Sequence, residues 1–104
     1  MEIKFANAYL EKLFLNEPVK GKPLYSNEVI IKFIKKIRLV QQTENSVKLR
    51  AFKSLHLEAL KGNKKGLYSI RVDKQYRIEF RIENNVITLV EIVLIEALSK
   101  HYEK

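Results

Sequence analysis

The chain has 104 residues, 46% of them hydrophobic and 31% charged, which is typical of one folded domain spanning residues 1–104. It contains no apolar run near the roughly 18 residues of a membrane span, no signal-peptide pattern and no cysteine, and its two histidines are far apart, which disfavours a structural zinc site. The net charge is +8. We therefore expect a cytoplasmic protein that uses neither a metal nor another cofactor.

The positive charge is concentrated in residues 48–82. This third of the chain contains three acidic residues, Glu58, Asp73 and Glu79, against ten basic ones. Such a block favours binding to a polyanion or to an acidic protein, although a merely solubilising surface is equally compatible with the charge. The ten basic residues are Lys48, Arg50, Lys53, Lys61, Lys64, Lys65, Arg71, Lys74, Arg77 and Arg81.

The first half of the chain predicts one strand and two helices. Polar and apolar residues alternate over Glu2–Phe5, as in a short strand. Asn7 is placed to cap a first helix, and a loop with two prolines follows at residues 16–23. Ser26 is placed to cap a second helix over residues 26–42, where an apolar stripe recurs at helical spacing. Residues 47–53 predict a short helical turn.

The second half predicts three antiparallel strands. Alternation places apolar residues on one face of strands 68–72 and 76–82, joined by a loop of residues 73–75 that keeps the two faces consistent. Arg71 and Arg77 then share the non-core face. Asn84-Asn85 predicts a type I′ turn, residues 86–93 predict a strand covered on both faces, and the C-terminal residues predict a short helix or an irregular cap. The expected fold is α+β, with helices packed on one face of the sheet.

The residues alone leave the function open. Residue patterns for Ser/His/Asp catalysis and for a glycine-rich phosphate loop are absent from the sequence. A planar guanidinium on a rigid hairpin suits a phosphate held in a fixed geometry. The same arginines also suit ordinary cross-strand ion pairs, and a single glutamate such as Glu58 before a turn is typical of a solvated surface.

A resemblance narrows this choice. The block Leu57-Glu58-Ala59-Leu60-Lys61-Gly62, followed by Gly66, Tyr68-Ser69 and Gln75-Tyr76-Arg77-Ile78, resembles the core of the RelE/ParE superfamily of type II toxin–antitoxin toxins. The YoeB-type and HigB-type (plasmid maintenance killer) branches carry these features in the same order, and the similarity extends over residues 57–102. It implies a RelE-like, microbial-RNase-like antiparallel β-sheet with two N-terminal helices on one face and a short C-terminal segment.

The resemblance also implies a chemistry. YoeB-type toxins are mRNA interferases that act on the ribosome and activate the ribose 2′-OH for attack on the adjacent phosphate, without a metal. The matching positions imply Glu58 as general base, Arg77 supported by Arg71 for phosphate charge, His101 as general acid, and Tyr102 to position a base. The implied RNA-binding residues are His56, Lys61, Lys64, Lys65, Arg71 and Arg81.

Two departures from the HigB-type pattern matter. Near its C-terminus the chain reads Ser99-Lys100-His101-Tyr102 where that branch carries Asp-Tyr-His, and His56 lies two residues further from the Leu-Lys-Gly turn. We therefore rank His56 below Glu58, as an RNA-facing accessory. A ParE-like DNA gyrase inhibitor that acts by binding and an inactive basic binding module remain the alternatives. In either toxin branch the resemblance implies a cognate antitoxin, expected to be a helix-turn-helix DNA-binding protein.

Overall fold

The computed structural model describes residues 1–100 and contains one mixed five-stranded sheet with helices on one face. The elements are β1 (Glu2–Phe5), α1 (Ala8–Phe14), α2 (Asn27–Gln42), α3 (Ser46–Arg50), a 3₁₀ turn (Lys53–Leu55), β2 (Glu58–Ala59), a second 3₁₀ turn (Gly62–Lys64), β3 (Tyr68–Arg71), β4 (Tyr76–Asn84) and β5 (Glu91–Lys100). The strand order is β1-β5-β4-β3-β2, in which β1 runs parallel to β5 and the other neighbours are antiparallel. This architecture confirms the predicted α+β class. Within these 100 residues, no helix has the length and apolar character needed to cross a membrane.

The helices begin where the sequence predicts. The side chain of Asn7 accepts a hydrogen bond from the Leu10 backbone N–H at 3.2 Å, and Ser26 Oγ accepts one from the Val29 N–H at 3.2 Å. Each cap satisfies a backbone donor that has no partner within the helix. The short helical turn predicted for residues 47–53 is present as α3.

One apolar core lies between the helices and one face of the sheet. Phe33, Ile37 and Val40 of α2 are fully buried against strand residues such as Ile78 and Phe80. Burying a side chain of this size stabilises the fold by about 1.5–3 kcal/mol. The other face of β3 and β4 carries the polar residues of the alternating pattern.

The β3–β4 hairpin has the predicted register. The Val72 N–H donates to the Tyr76 carbonyl at 2.9 Å, and the Cα atoms of Arg71 and Arg77 are partners across the hairpin. Asp73 fixes the connecting loop, because its carboxylate accepts from the backbone N–H groups of both Gln75 and Tyr76 at 2.8 Å. The two arginines therefore lie side by side on the non-core face.

The prediction for the third strand is wrong. Residues 86–93 do not form it; β5 is Glu91–Lys100, and the connection holds Val86, Ile87 and Leu89 at 84–89% exposure. A two-residue turn at Asn84-Asn85 would pair Ile78 with Glu91 and place a carboxylate in the core.

The observed register of β5 instead pairs Ile82 with Val93 and Phe80 with Ile95. The position of β5 is therefore set by its contacts with the core and not by the turn preference of Asn84-Asn85. The C-terminal segment, expected as a short helix or irregular cap, is part of this strand as far as Lys100. β5 contains a bulge opposite the step from Glu79 to Phe80. Phe80 pairs with Ile95 but Glu79 pairs with Ala97, so Glu96 is an extra residue. The bulge resets the alternation, and Ile95 and Leu98 both reach the core.

Candidate active site

Two arginines on neighbouring strands contact two different parts of His56. Arg71 Nη1 lies 3.2 Å from His56 Nε2, and Arg77 Nη2 donates to the His56 carbonyl oxygen. His56 lies between the first 3₁₀ turn and β2, and the chain there crosses to the edge of the sheet. The resemblance assigned His56 an accessory position, whereas the geometry puts it in direct contact with both arginines.

The contact with Arg71 involves one ring nitrogen of His56. A guanidinium has only donors, so a hydrogen bond between the two groups requires Nε2 to accept, in the tautomer that carries the proton on Nδ1. Arg71 is half-buried, and its Nε also donates to the Asp73 carbonyl at 3.3 Å. The guanidinium is thereby held beside the loop that joins β3 to β4.

Arg77 differs from Arg71 in being buried, with 6% of its surface exposed. Its Nε donates to Ser69 Oγ at 2.8 Å, and its Nη2 donates to the Ser69 carbonyl at 3.3 Å as well as to His56. The sequence predicts the face on which Arg77 lies but not this burial. The Arg77 guanidinium thus donates to three acceptors within the protein, and these charge-assisted hydrogen bonds hold it in place.

Glu58 lies on the same face as these residues. It is in β2, its Cα is paired with that of Ser69 in β3, and its side chain is exposed. Paired residues in an antiparallel sheet project to the same side. The row that contains Glu58 and Ser69 is therefore next to the row that contains Arg71 and Arg77.

The lysine-rich turn, residues 61–66, borders the polar patch formed by His56, Glu58, Ser69, Arg71, Arg77 and Glu79. The Leu60 N–H donates to the Leu67 carbonyl at 2.8 Å and closes the turn, on which Lys61 and Lys65 are exposed. Lys64 Nζ lies 3.0 Å from Oε2 of the buried Glu79. This ion pair anchors the turn to β4.

Arg81 of β4 lies beside the same turn. Its Nε lies 3.1 Å from Glu96 Oε2, an ion pair to the neighbouring strand. Gly66, at φ +96°, has Arg81 Nη1 3.0 Å from where a Cβ would lie, so a larger residue there would displace the guanidinium. All six proposed RNA-binding residues are therefore on the polar face of β3 and β4 or beside it.

His101 and Tyr102 lie outside the described residues. β5 runs as far as Lys100, and Ser99 is paired with Arg77. Among residues 1–100, no group of three or more His, Cys, Asp or Glu side chains is arranged to hold a metal ion.

Two residues of the patch were not predicted as functional. Ser69 is 1% exposed and accepts from Arg77, and Glu79 is buried and bound to Lys64. The alternation of β3 and β4 already placed both on the arginine face. The sequence offered two signals: a small hydroxyl paired across the hairpin with a carboxylate, and the presence of Ser69 in the Tyr68-Ser69 pair of the family resemblance.

Comparisons with known proteins agree with this architecture. A curated protein of Haemophilus influenzae, described as an uncharacterized protein, is 41% identical over 51 residues. That match covers 49% of this chain and 50% of that protein, so the chain spans about half of the relative's length. A solved YoeB/ParE toxin from Agrobacterium tumefaciens shares the fold, with a TM-score of 0.59 at 16% identity, over 98% of this chain and 100% of that one.

The family model of HigB-like toxins, described as the RelE-like toxin of the type II toxin–antitoxin system HigB, matches residues 3–92. This span includes β1 from Ile3 onward, β2–β4, the three helices and every described residue of the patch. The chain therefore belongs to the HigB-like family of RelE-like toxins of type II toxin–antitoxin systems.

Proposed function

We propose that the protein is a ribosome-dependent mRNA endonuclease that inhibits translation and growth. The observation that supports this most directly is the 3.2 Å contact of the Arg71 guanidinium with the His56 imidazole, next to the exposed carboxylate of Glu58. Cleavage by 2′-OH attack needs a proton acceptor, a cation for phosphate charge and a proton donor. The patch offers the first two from this chain's own side chains.

In the proposed reaction Glu58 accepts the proton of the ribose 2′-OH. The 2′-oxygen forms a bond to the adjacent phosphorus, the bond from phosphorus to the 5′-oxygen breaks, and the products carry a 2′,3′-cyclic phosphate and a 5′-hydroxyl. The 5′-oxygen takes a proton from His101, which follows Lys100 in the sequence. Tyr102 is proposed to position a base.

Arg71 is the arginine that we propose to meet the phosphate. It is half-buried and lies beside Glu58, whereas Arg77 is 6% exposed. Lys61 and Lys65, both exposed, are proposed to contact the RNA backbone, with Lys64 and Arg81 beside them. A row of cations at one edge of the site would hold the strand without reading its sequence.

Membership of a type II toxin family implies a cognate antitoxin as partner. We propose that it is a helix-turn-helix DNA-binding protein that neutralises the toxin by covering or distorting the basic face. In this view the net charge of +8 serves both interactions, since RNA and an acidic protein surface present the same sign of charge.

Induced expression in a bacterial host tests the activity. Wild type should arrest growth and produce translation-dependent cuts in mRNA, mapped by primer extension. Glu58→Gln, Arg71→Ala and His101→Ala should each lower cleavage by about 100-fold or more, as expected for loss of a proton-transfer or charge-stabilising group. Lys35→Ala, which removes an exposed cation on α2, is the matched control and should cut like wild type.

Two outcomes would contradict the proposal. Growth arrest with intact transcripts and stalled gyrase–DNA complexes would identify a ParE-like gyrase inhibitor instead. Growth arrest that persists in all three variants, with neither mRNA cleavage nor stalled gyrase–DNA complexes, would identify a binding module that acts without nuclease chemistry.

A further inference from the structure

We infer that Arg77 and Ser69 are positioning residues, which set the conformation of His56 and through it the place of the Arg71 guanidinium. The kinetic part of this inference rests on the proposed nuclease function, and its structural part does not. His56 links the two arginines: Arg77 donates to its backbone carbonyl, and Arg71 contacts its ring.

The backbone of His56 needs such support. Its φ of 45° and ψ of 53° lie in the left-handed region, which is unfavourable for a residue with a Cβ and persists where surrounding contacts hold it. Arg77 Nη2 donates a charge-assisted hydrogen bond to the carbonyl of this same residue. That contact favours the turned conformation over the extended one that the following strand would otherwise continue.

Ser69 in turn fixes Arg77. Its Oγ accepts from Arg77 Nε at 2.8 Å and its carbonyl accepts from Arg77 Nη2 at 3.3 Å. A guanidinium presents these donors in a rigid plane, so binding Ser69 aims Nη2 at His56. Lysine would keep the charge but has one nitrogen, and it cannot reproduce this fork.

Burial separates Ser69 and Arg77 from the substrate. Ser69 is 1% exposed and Arg77 6%, so a phosphate approaching the face meets the half-buried Arg71 before either. Arg71 receives its geometry from His56 Nε2 and from the Asp73 carbonyl. Arg77 and His56 thus connect Ser69 to the Arg71 guanidinium.

Nuclear magnetic resonance of isotope-labelled protein, made by cell-free synthesis, tests the structural part. In wild type the ring nitrogens of His56 should show a protonated Nδ1 and an accepting Nε2, and its Cα and Cβ shifts should report the left-handed backbone. Ser69→Ala and Arg77→Lys should both move the backbone shifts and average the two ring tautomers. Ser54→Ala, the same chemical change at an exposed serine of the neighbouring 3₁₀ turn, should leave them unchanged.

Cleavage of mRNA on programmed ribosomes tests the kinetic part. Arg77→Lys should lower the single-turnover rate by about 100-fold, since small displacements of a charge-stabilising group have effects of this size, while binding to the ribosome stays at the wild-type level. Ser69→Ala, which keeps both arginines, should lower the rate in the same direction by a smaller factor.

The outcomes are distinguishable. His56 signals that stay at their wild-type values in both variants would overturn the inference, and a slow Arg77→Lys enzyme would then mean that Arg77 acts on the phosphate directly. If Arg77→Lys does not fold, Ser69→Ala decides by the same spectra. If wild type does not cut RNA at all, the proposed function fails while the spectra still decide whether His56 is positioned by Arg77 and Ser69.

Discussion

The carboxylate of Glu79 is almost fully buried, and the ammonium of Lys64 lies 3.0 Å from it with half of the lysine side chain exposed. The pair joins the second 3₁₀ turn to the middle of β4. Glu79 is on the polar face of the sheet, between its cross-strand partners Ser69 of β3 and Ala97 of β5. The position of the lysine-rich turn therefore depends on one buried charge and its counter-ion.

Removing the lysine alone should be costly. Lys64→Met leaves the Glu79 carboxylate buried without its counter-ion, and we expect a loss of about 2 kcal/mol in the free energy of unfolding, below the range for fully buried pairs because Lys64 reaches solvent. Urea denaturation measures this. Lys65→Met, the same change at the exposed neighbour, is the control. Equal stability of the two variants would show that the pair is not holding the turn.

The second prediction concerns Leu89 in the β4–β5 connection. Its φ is +58° and its side chain is 87% exposed, so the backbone is strained with little apolar burial in return. Leu89→Gly should raise stability by about 0.5–1 kcal/mol, as relief of left-handed strain exceeds the entropy that glycine adds to the unfolded chain. Ile87→Gly, equally exposed but without a positive φ, should lower stability. A loss at both positions in thermal denaturation would contradict the argument.

The parts of the fold that the sequence predicts are those set by local contacts. Asn7 and Ser26 bond to backbone groups three residues away, and the β3–β4 register follows from keeping apolar residues on one face across a three-residue loop. Such interactions involve residues close together in the chain, so they can be predicted from residue types and their spacing.

The parts that could not be predicted depend on distant residues. The apolar run 86–90 has strand composition but is exposed, because core pairing with β4 and the bulge at Glu96 move β5 further along the chain. In the site, alternation puts Ser69, Arg77 and Glu79 on the polar face. It does not reveal that they are buried there, since that depends on His56 and Lys64 crossing over them.

A third prediction tests a contact of this distant kind, between β5 and α3. Glu91 accepts from the Ser46 N–H at 2.8 Å and from Ser46 Oγ at 2.6 Å, at the first residue of the helix. Glu91→Ala should cost about 1–2 kcal/mol, because it leaves a helix-terminal donor without its carboxylate acceptor. Glu83→Ala, an exposed glutamate near the same end of the sheet, should change the urea midpoint little. If both variants unfold at one midpoint, Glu91 does not stabilise the helix.

The last prediction concerns Tyr25, which links the loop before α2 to β5. Its hydroxyl donates to the Leu98 carbonyl at 2.8 Å, and its ring packs on Tyr76 with centroids 5.8 Å apart. Burial, followed by the electrostatic influence of Tyr76 and Tyr9, raises the pKa of Tyr25 above its ordinary 10.0. The folded protein thus holds this proton more tightly than the unfolded chain.

The sign of the pH dependence follows from that difference. Well below pH 10 both states keep the proton and its contribution is constant. As the pH rises through 10 the unfolded chain ionises first, so stability falls until the raised pKa of the folded state is passed. At about pH 8, Tyr25→Phe should be less stable than wild type by about 1 kcal/mol through loss of the hydrogen bond. Because phenylalanine cannot ionise, this gap should narrow in urea titrations as the pH rises above about 10. Lysine titration is common to both proteins and cancels in the comparison, so a gap that stays constant or widens would contradict the raised pKa.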